Sequence, residues 1–236
     1  MKLIVCSPST RKFLNGRKLI LRGPPTKDRI GHWENTEKDV IAIGGGAVID
    51  AAKIISKNPI VAYPTTGSGA CCTSHAVMWD GKNKLSVKAH KPKMVIINSN
   101  FLNSVPTKVL KNSYYDAFAH CIDSLQSKNS TRKSRALANL SLTQMNKSNT
   151  RVEFIRAANL AGDAIEITGT NLLHSLSYPL TSYYGIPHGK ALGFLLGEEK
   201  IDGIDMEFVI DEALKYPKIH DNIYKINKEK LRRWFK

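Results

Sequence analysis

Three consecutive glycines, Gly44-Gly45-Gly46, follow the apolar run Asp39 to Ile43 and open an alanine- and isoleucine-rich stretch that continues to about Ser56. Glycine is the residue that lets a chain turn sharply and lets its backbone approach another group closely. Free N–H groups at the start of the following helix favour negative charge. A tight strand-to-helix turn would explain the triplet equally well. In either case the order strand, glycine turn, helix belongs to an open α/β unit with a largely parallel sheet.

The residues around the triplet extend that pattern. Short apolar runs at Lys2 to Cys6, Lys18 to Leu21, Asp39 to Ile43 and Ile60 to Tyr63 predict strands. A hairpin is expected from His75 to Trp79 and Lys84 to Val87, joined through Asp80-Gly81-Lys82-Asn83, and a further strand over Met94 to Ile97. After Pro106 the spacing becomes helical, over 107–126, 131–147 and 151–170, with Ser130-Thr131 placed to cap the second of these. The chain therefore divides near Val105-Pro106 into an α/β half, 1–105, and a helical half, 106–236. It contains no internal repeat.

The 236 residues are 42% hydrophobic and 23% charged, enough apolar material to bury a core. No apolar run approaches the ~20 residues of a membrane span. The opening apolar patch ends at Ser7-Pro8, too early for a secretory signal, so a cytoplasmic location is expected. The four cysteines have no framework or zinc-ribbon spacing, and Cys71 and Cys72 are adjacent; reduced thiols are expected. A net charge of +15 favours anionic partners. The basic residues are dispersed, however, and no RNA-binding, zinc-finger or helix-turn-helix signature accompanies them, so nucleic acid is not the expected partner.

Three groups of residues can carry chemistry. The glycine triplet is one. Tyr63-Pro64-Thr65-Thr66-Gly67-Ser68-Gly69-Ala70 is a second loop after a strand, rich in small donors, and the two loops can line one crevice at the strand ends. The third group is Asp116 and His120, whose i,i+4 spacing puts both on one helix face, with His174 and His188 downstream. One carboxylate and three imidazoles suit Fe²⁺ or Zn²⁺ with a position left open. Considered alone, Asp116 and His120 could equally share a surface hydrogen bond.

Together, in this order, Gly44 to Lys53, Pro64 to Ala70, Asp116 with His120, and His174 with Pro187-His188-Gly189 resemble the iron-containing (group III) alcohol dehydrogenases. Asp116 to Asp123 and His174 to Leu180 resemble the branch that includes phosphonoacetaldehyde reductases. The resemblance implies an α/β dinucleotide-binding domain followed by an all-α metal-binding domain, the dehydroquinate-synthase-like architecture. It implies that Asp116, His120, His174 and His188 hold Fe²⁺ or Zn²⁺ and act catalytically through it. Gly44, Gly45, Gly46, Asp50, Thr65, Thr66 and Ser68 would bind NAD(H) or NADP(H), and a homodimer is expected.

The departures are specific. Ala47 stands where serine is usual, the second loop is one residue short, and Cys71 falls where glutamate is common. Tyr178 replaces a frequent histidine, which removes an expected proton relay, and Lys190 is a candidate to face an anionic substrate. Only 43 residues precede Gly44 and 47 follow Gly189, fewer than the family usually has. The expected function is reduction of a small, anionic aldehyde with NAD(P)H. The alternatives are a non-catalytic remnant that binds a ligand or partner, and a nucleic-acid-binding protein on the same fold.

Overall fold

The computed structural model describes residues 2–13 and 15–235; the ends of the two expected halves, Met1 and Lys236, lie outside the described residues. The first part builds a five-stranded parallel sheet in the order β2-β1-β3-β4-β7. Its strands are β1 (Leu3–Cys6), β2 (Lys18–Ile20), β3 (Val40–Gly44), β4 (Val61–Pro64) and β7 (Met94–Val95). Parallel strands in a layered fold are covered on their faces, so β1 and β3 read as apolar runs rather than alternating ones. A one-turn helix, α1 (Lys27–Ile30), precedes β3, and α2 (Gly46–Ile55) follows it. Every residue of α2 from Val48 onward is buried, its alanines and isoleucines filling the core and its two charged residues, Asp50 and Lys53, meeting each other.

The expected hairpin forms as a separate two-stranded ribbon, β5 (His75–Asp80) and β6 (Asn83–Lys88). Its turn is tighter than the sequence suggested: Asp80 and Asn83 pair, which leaves two residues at the tip, with Gly81 at φ +58°. A two-residue turn of this kind matches strand twist when glycine supplies the positive φ. Ala76 and Met78 face the α/β core, joined by Leu85 and Val87 from β6. Residues alternate faces along a strand, so the opposite face of the ribbon is free to line something else.

From residue 99 onward the described chain is helical. A one-turn α3 (Ser99–Leu102) leads to α4 (Thr107–Leu125), α5 (Arg132–Lys147), α6 (Arg151–Thr168), α7 (Leu172–Ser182), α8 (His188–Leu195), α9 (Met206–Leu214) and α10 (Lys228–Trp234). Thr131 caps α5 by accepting from the Ser134 amide, as its position predicted, and Thr150 with Glu153 forms a capping box on α6. No helix among the described residues is long and apolar enough to cross a membrane.

Helix α6 packs against the α/β half through small residues. A Cβ at Gly67 would lie 2.5 Å from Ala158 Cβ, and one at Gly162 would lie 2.8 Å from Gly69 Cα. Polar ties add to this contact: the Ser74 amide donates to Glu166, and Lys91 pairs with Asp163 at 2.7 Å.

One buried cation fastens the second loop to α2. Lys53 Nζ is 3.6 Å from Asp50 and donates to the carbonyls of Ala70 (2.8 Å), Thr73 (3.0 Å) and His75. Burial pushes the Lys53 ammonium down and the Asp50 carboxyl up, to about 6, and each group partly offsets the other. Replacing Lys53 with methionine strands Asp50 and three carbonyls. We expect Lys53→Met to destabilise the fold by about 3 kcal/mol, read from urea unfolding; an unchanged midpoint would show that this knot carries no stability.

Candidate metal centre and adjoining cleft

Asp116 and His120 lie one turn apart on α4, His174 near the start of α7, and His188 at the first position of α8. Three imidazoles from three helices meet one oxygen. Asp116 Oδ1 is 3.5 Å from His120 Nε2, 3.4 Å from His174 Nε2 and 3.6 Å from His188 Nε2. The rings of His120 and His174 stack at 4.6 Å and 5°. Asp116 and His120 are thus buried together rather than sharing a surface hydrogen bond.

The spacing bears on what the four residues can hold. Ligand atoms each ~2.1 Å from a tetrahedral ion lie about 3.4 Å from one another. The observed 3.4–3.6 Å separations of the three Nε2 atoms from Asp116 Oδ1 match that spacing, although His188 falls outside the tightest group. Asp116, His120 and His174 offer ligand atoms all within 4.8 Å of one another. For Asp116, His120 and His188 the protonation states also fit. Burial opposes ionisation of Asp116, but His120, with His174 and His188, holds its carboxyl well below the usual range. Burial pushes His120 down to about 4 and lowers His188 as well, so both are neutral imidazoles with a lone pair to give.

Each ligand side chain has a local reason for its position. Asp123, one turn beyond His120, is fully buried and accepts from the amides of Asn171 (2.8 Å), Leu173 (3.0 Å) and His174 (3.4 Å). These are N–H groups that the start of α7 leaves without helical partners. The same carboxylate lies 2.8 Å from His174 Nδ1, which turns Nε2 toward Asp116. Burial would lower His174, but its contacts with Asp116 and Asp123 raise it to about 9. Ser177 donates to the His174 carbonyl at 2.7 Å and sits 3.3 Å from His188 Nδ1. Among the described residues, His120 Nδ1 is buried with no partner, against Gly69.

The glycine after His188 has a steric role. A Cβ at Gly189 would lie 2.2 Å from the Asn112 carbonyl oxygen, backbone that cannot give way cheaply. Asn112 is one helical turn before Asp116. The absence of a side chain at 189 therefore lets α8 approach α4 at the level where His188 meets Asp116.

The four residues open onto a cleft of about 680 Å³ whose walls come from both parts of the chain. Gly46, Ala47, Asp50 and Ser68 line it, with Gly45 and Thr66 adjoining behind them: a Cβ at Gly45 would meet Thr66 Oγ1 at 3.1 Å. Gly44 and Thr65 are buried beneath this rim, joined by the Thr65 amide donating to the Gly44 carbonyl at 3.0 Å. The free face of the hairpin supplies His75, Val77, Trp79, Lys84 and Ser86. Lys84 Nζ lies 3.8 Å from the centre of the Tyr178 ring, which stacks on His188 at 6.2 Å. Burial would raise the Tyr178 hydroxyl, but Lys84 leads the effects that bring it down to about 8. Lys190 does not line the cleft; Lys84 and Lys218 do.

Comparison with known proteins agrees with this geometry. Residues 28–106 match the family model for iron-containing alcohol dehydrogenase, and residues 112–200 match that for the C-terminal part of the Fe-containing alcohol dehydrogenase family. The chain belongs to the iron-containing alcohol dehydrogenase family. Among its relatives, phosphonoacetaldehyde reductase of Streptomyces viridochromogenes is 29% identical, over 74% of this chain and 57% of the relative. The 1-propanol dehydrogenase PduQ of Salmonella typhimurium is 31% identical, over 66% and 49%. The chain thus spans about half the length of the curated relatives it matches. In fold it resembles the crystal structure of an iron-containing alcohol dehydrogenase from Thermotoga maritima. The TM-score is 0.83 at 21% identity, over 99% of this chain and 90% of that one. Sulfoacetaldehyde reductase from Bifidobacterium kashiwanohense, solved with NAD⁺, gives 0.79 at 17%, over 99% and 89%.

Because the fit of α8 against α4 depends on residue 189, Gly189→Ala should push His188 off Asp116 while leaving the protein folded. Metal affinity, measured by chelator competition, should fall at least about 10-fold, the scale of a displaced ligand support. Undiminished affinity would refute the steric role.

Proposed function

We propose that this chain is a metal-dependent alcohol dehydrogenase or aldehyde reductase that transfers a hydride between NAD(P)H and a small aldehyde carrying an anionic group. The observation that carries the reading is the convergence of three imidazole Nε2 atoms on Asp116 Oδ1 at one end of a cleft that Gly46 and Ser68 also line. In this reading Asp116, His120, His174 and His188 hold Fe²⁺ or Zn²⁺. Such an ion supplies Lewis acidity that polarises a carbonyl oxygen. Gly44, Gly45, Gly46, Asp50, Thr65, Thr66 and Ser68 form the dinucleotide side, where bare backbone and hydroxyls suit a pyrophosphate.

Lys84 supports the anionic part of the proposal. It projects into the cleft beside Tyr178 and His188, and no carboxylate pairs with it among the described residues. Relatives named for phosphonoacetaldehyde and 4-hydroxybutyrate act on charged molecules. Residues 1–105 and 106–236 are the corresponding dinucleotide-binding and metal-binding domains. A cytoplasmic homodimer completes the proposal; four buried, unpaired thiols suit a reducing compartment.

The first test is metal content of anaerobically purified protein beside His188→Ala, with NADH and NADPH titrated into both. We expect about one Fe²⁺ or Zn²⁺ per chain, lost in the variant, and saturable dinucleotide binding. Folded protein that binds neither would overturn the reading. The second test is Lys84→Met assayed with succinic semialdehyde and propionaldehyde. Loss of one charge contact worth ~1.4 kcal/mol should lower kcat/KM about tenfold for the anionic aldehyde, with little change for the neutral one. An equal loss for both would remove Lys84 from substrate recognition.

A further inference from the structure

Behind the wall of the cleft lies a pair of side chains that the proposed chemistry does not use. Cys71 and Cys72 occupy a single 3-10 turn, Ala70–Cys72, directly after Gly69. Both are buried, and their Sγ atoms are 3.6 Å apart. That separation is too long for a disulfide, whose sulfurs lie ~2.05 Å apart. It is close to the spacing of two sulfurs that share one atom: thiolates each ~2.3 Å from a common atom, at the tetrahedral angle or the narrower angle of a pyramidal centre, sit about 3.4–3.8 Å apart. The residues on either side of the pair, Ala70 and Thr73, line the cleft, so only one turn of chain separates the thiols from solvent-filled space.

The surroundings of the two thiols differ. Cys71 donates its S–H to Asn159 Oδ1 on α6 at 3.2 Å, a contact that favours the protonated thiol. Lys53, held by the carbonyls on both sides of the turn, places a buried ammonium beside it. The hydrogen bond from Cys72, against the effect of burial and with the help of Lys53, lowers Cys71 below an ordinary thiol; Cys72, as the donor, is raised. One thiol of the pair is therefore the better nucleophile, and its neighbour is already within reach for a second bond.

We propose that Cys71 and Cys72 form a binding site, separate from the Asp116 centre, for one soft, sulfur-seeking atom, with trivalent arsenic as its representative. With a hydrated organoarsenic(III) of the form R–As(OH)₂, both S–H and both As–O bonds break and two As–S bonds form. The two thiol protons leave with the two hydroxides as two waters. Arsenic stays trivalent, and no oxidant is needed. The site does not depend on the reductase reading, because its ligands are sulfur and its readout is mass.

The test titrates native full-length protein with phenylarsine oxide and follows intact mass together with far-UV circular dichroism. We expect one phenylarsenic adduct per chain on folded protein, stable to excess glutathione and removed by a dithiol. Losing one of two linked ligands should weaken the adduct by about 100-fold or more, so Cys71→Ser and Cys72→Ser should each abolish it. Cys71→Glu, which puts an acid beside Lys53, guards against a folding artefact: it should keep the native spectrum and take no adduct. The Cys6→Ser/Cys121→Ser double variant should react like the wild type. No adduct on folded protein, an adduct formed only after unfolding, or an adduct retained in Cys71→Glu would each overturn the proposal.

Discussion

One carboxylate oxygen organises the helical half of this protein. Asp116 Oδ1 faces imidazoles from α4, α7 and α8 at nearly equal distances, and the helices must be packed to bring them there. Burying a carboxylate is unfavourable unless it is compensated, and here three imidazoles provide the compensation. Asp123 repeats the device one layer deeper. It is wholly enclosed, and its partners are the amides that open α7 and the ring of His174. The two aspartates on α4 thus fix where α7 begins and how its histidine is turned. The small residue at 189 fixes the depth of α8. Packing and chemistry at this centre rest on the same few atoms.

Much of this was readable from the residues, for identifiable reasons. β1 and β3 announce themselves because strands buried on both faces are apolar throughout, and α4 to α6 because helical spacing persists over several turns. The Thr131 cap was visible because a hydroxyl residue stood just before the apolar periodicity. Less was legible around His174 and His188. Helix α7 is buried on nearly all sides, mixes His174, Ser175 and Ser177 with its leucines, and carries Pro179 inside it, so periodicity could not mark its boundaries. Lys84 went unnoticed, as its contact with Tyr178 joins residues 94 positions apart. Asp123 had a signal: Asp116, His120 and Asp123 fall at i, i+4 and i+7, one face of one helix. Gly44 and Thr65, two of the expected dinucleotide residues, lie beneath the rim of the cleft, a depth that a loop sequence does not encode.

Two departures from the pattern that the sequence resembles fall at the cleft and behind its wall. Tyr178, in place of a frequent histidine, lies between Lys84 and His188 and makes an edge contact with Tyr216 at 5.1 Å. Cys71, in place of a common glutamate, lies near Lys53. In each case a neighbouring lysine meets the replacement. The first exchange changes the polarity of the cleft, and the second changes the wall behind it. Asp116, His120, His174, His188 and the glycine triplet, by contrast, match the pattern that the sequence resembles.

The β5–β6 ribbon serves two masters through its pleat. Ala76, Met78, Leu85 and Val87 turn inward, while Val77, Trp79, Lys84 and Ser86 turn to the cleft, and the pairings Val77 with Ser86 and Trp79 with Lys84 lock the two sets in register. Which side chain meets a ligand is therefore a matter of parity along the strand. Adding one residue between Lys84 and Leu85 would exchange odd for even along the rest of β6, turning Leu85 and Val87 toward the cleft and Ser86 toward apolar core. The Gly81-Lys82 tip is different, because a hairpin loop can take up a third residue as a bulge while the strands keep their faces.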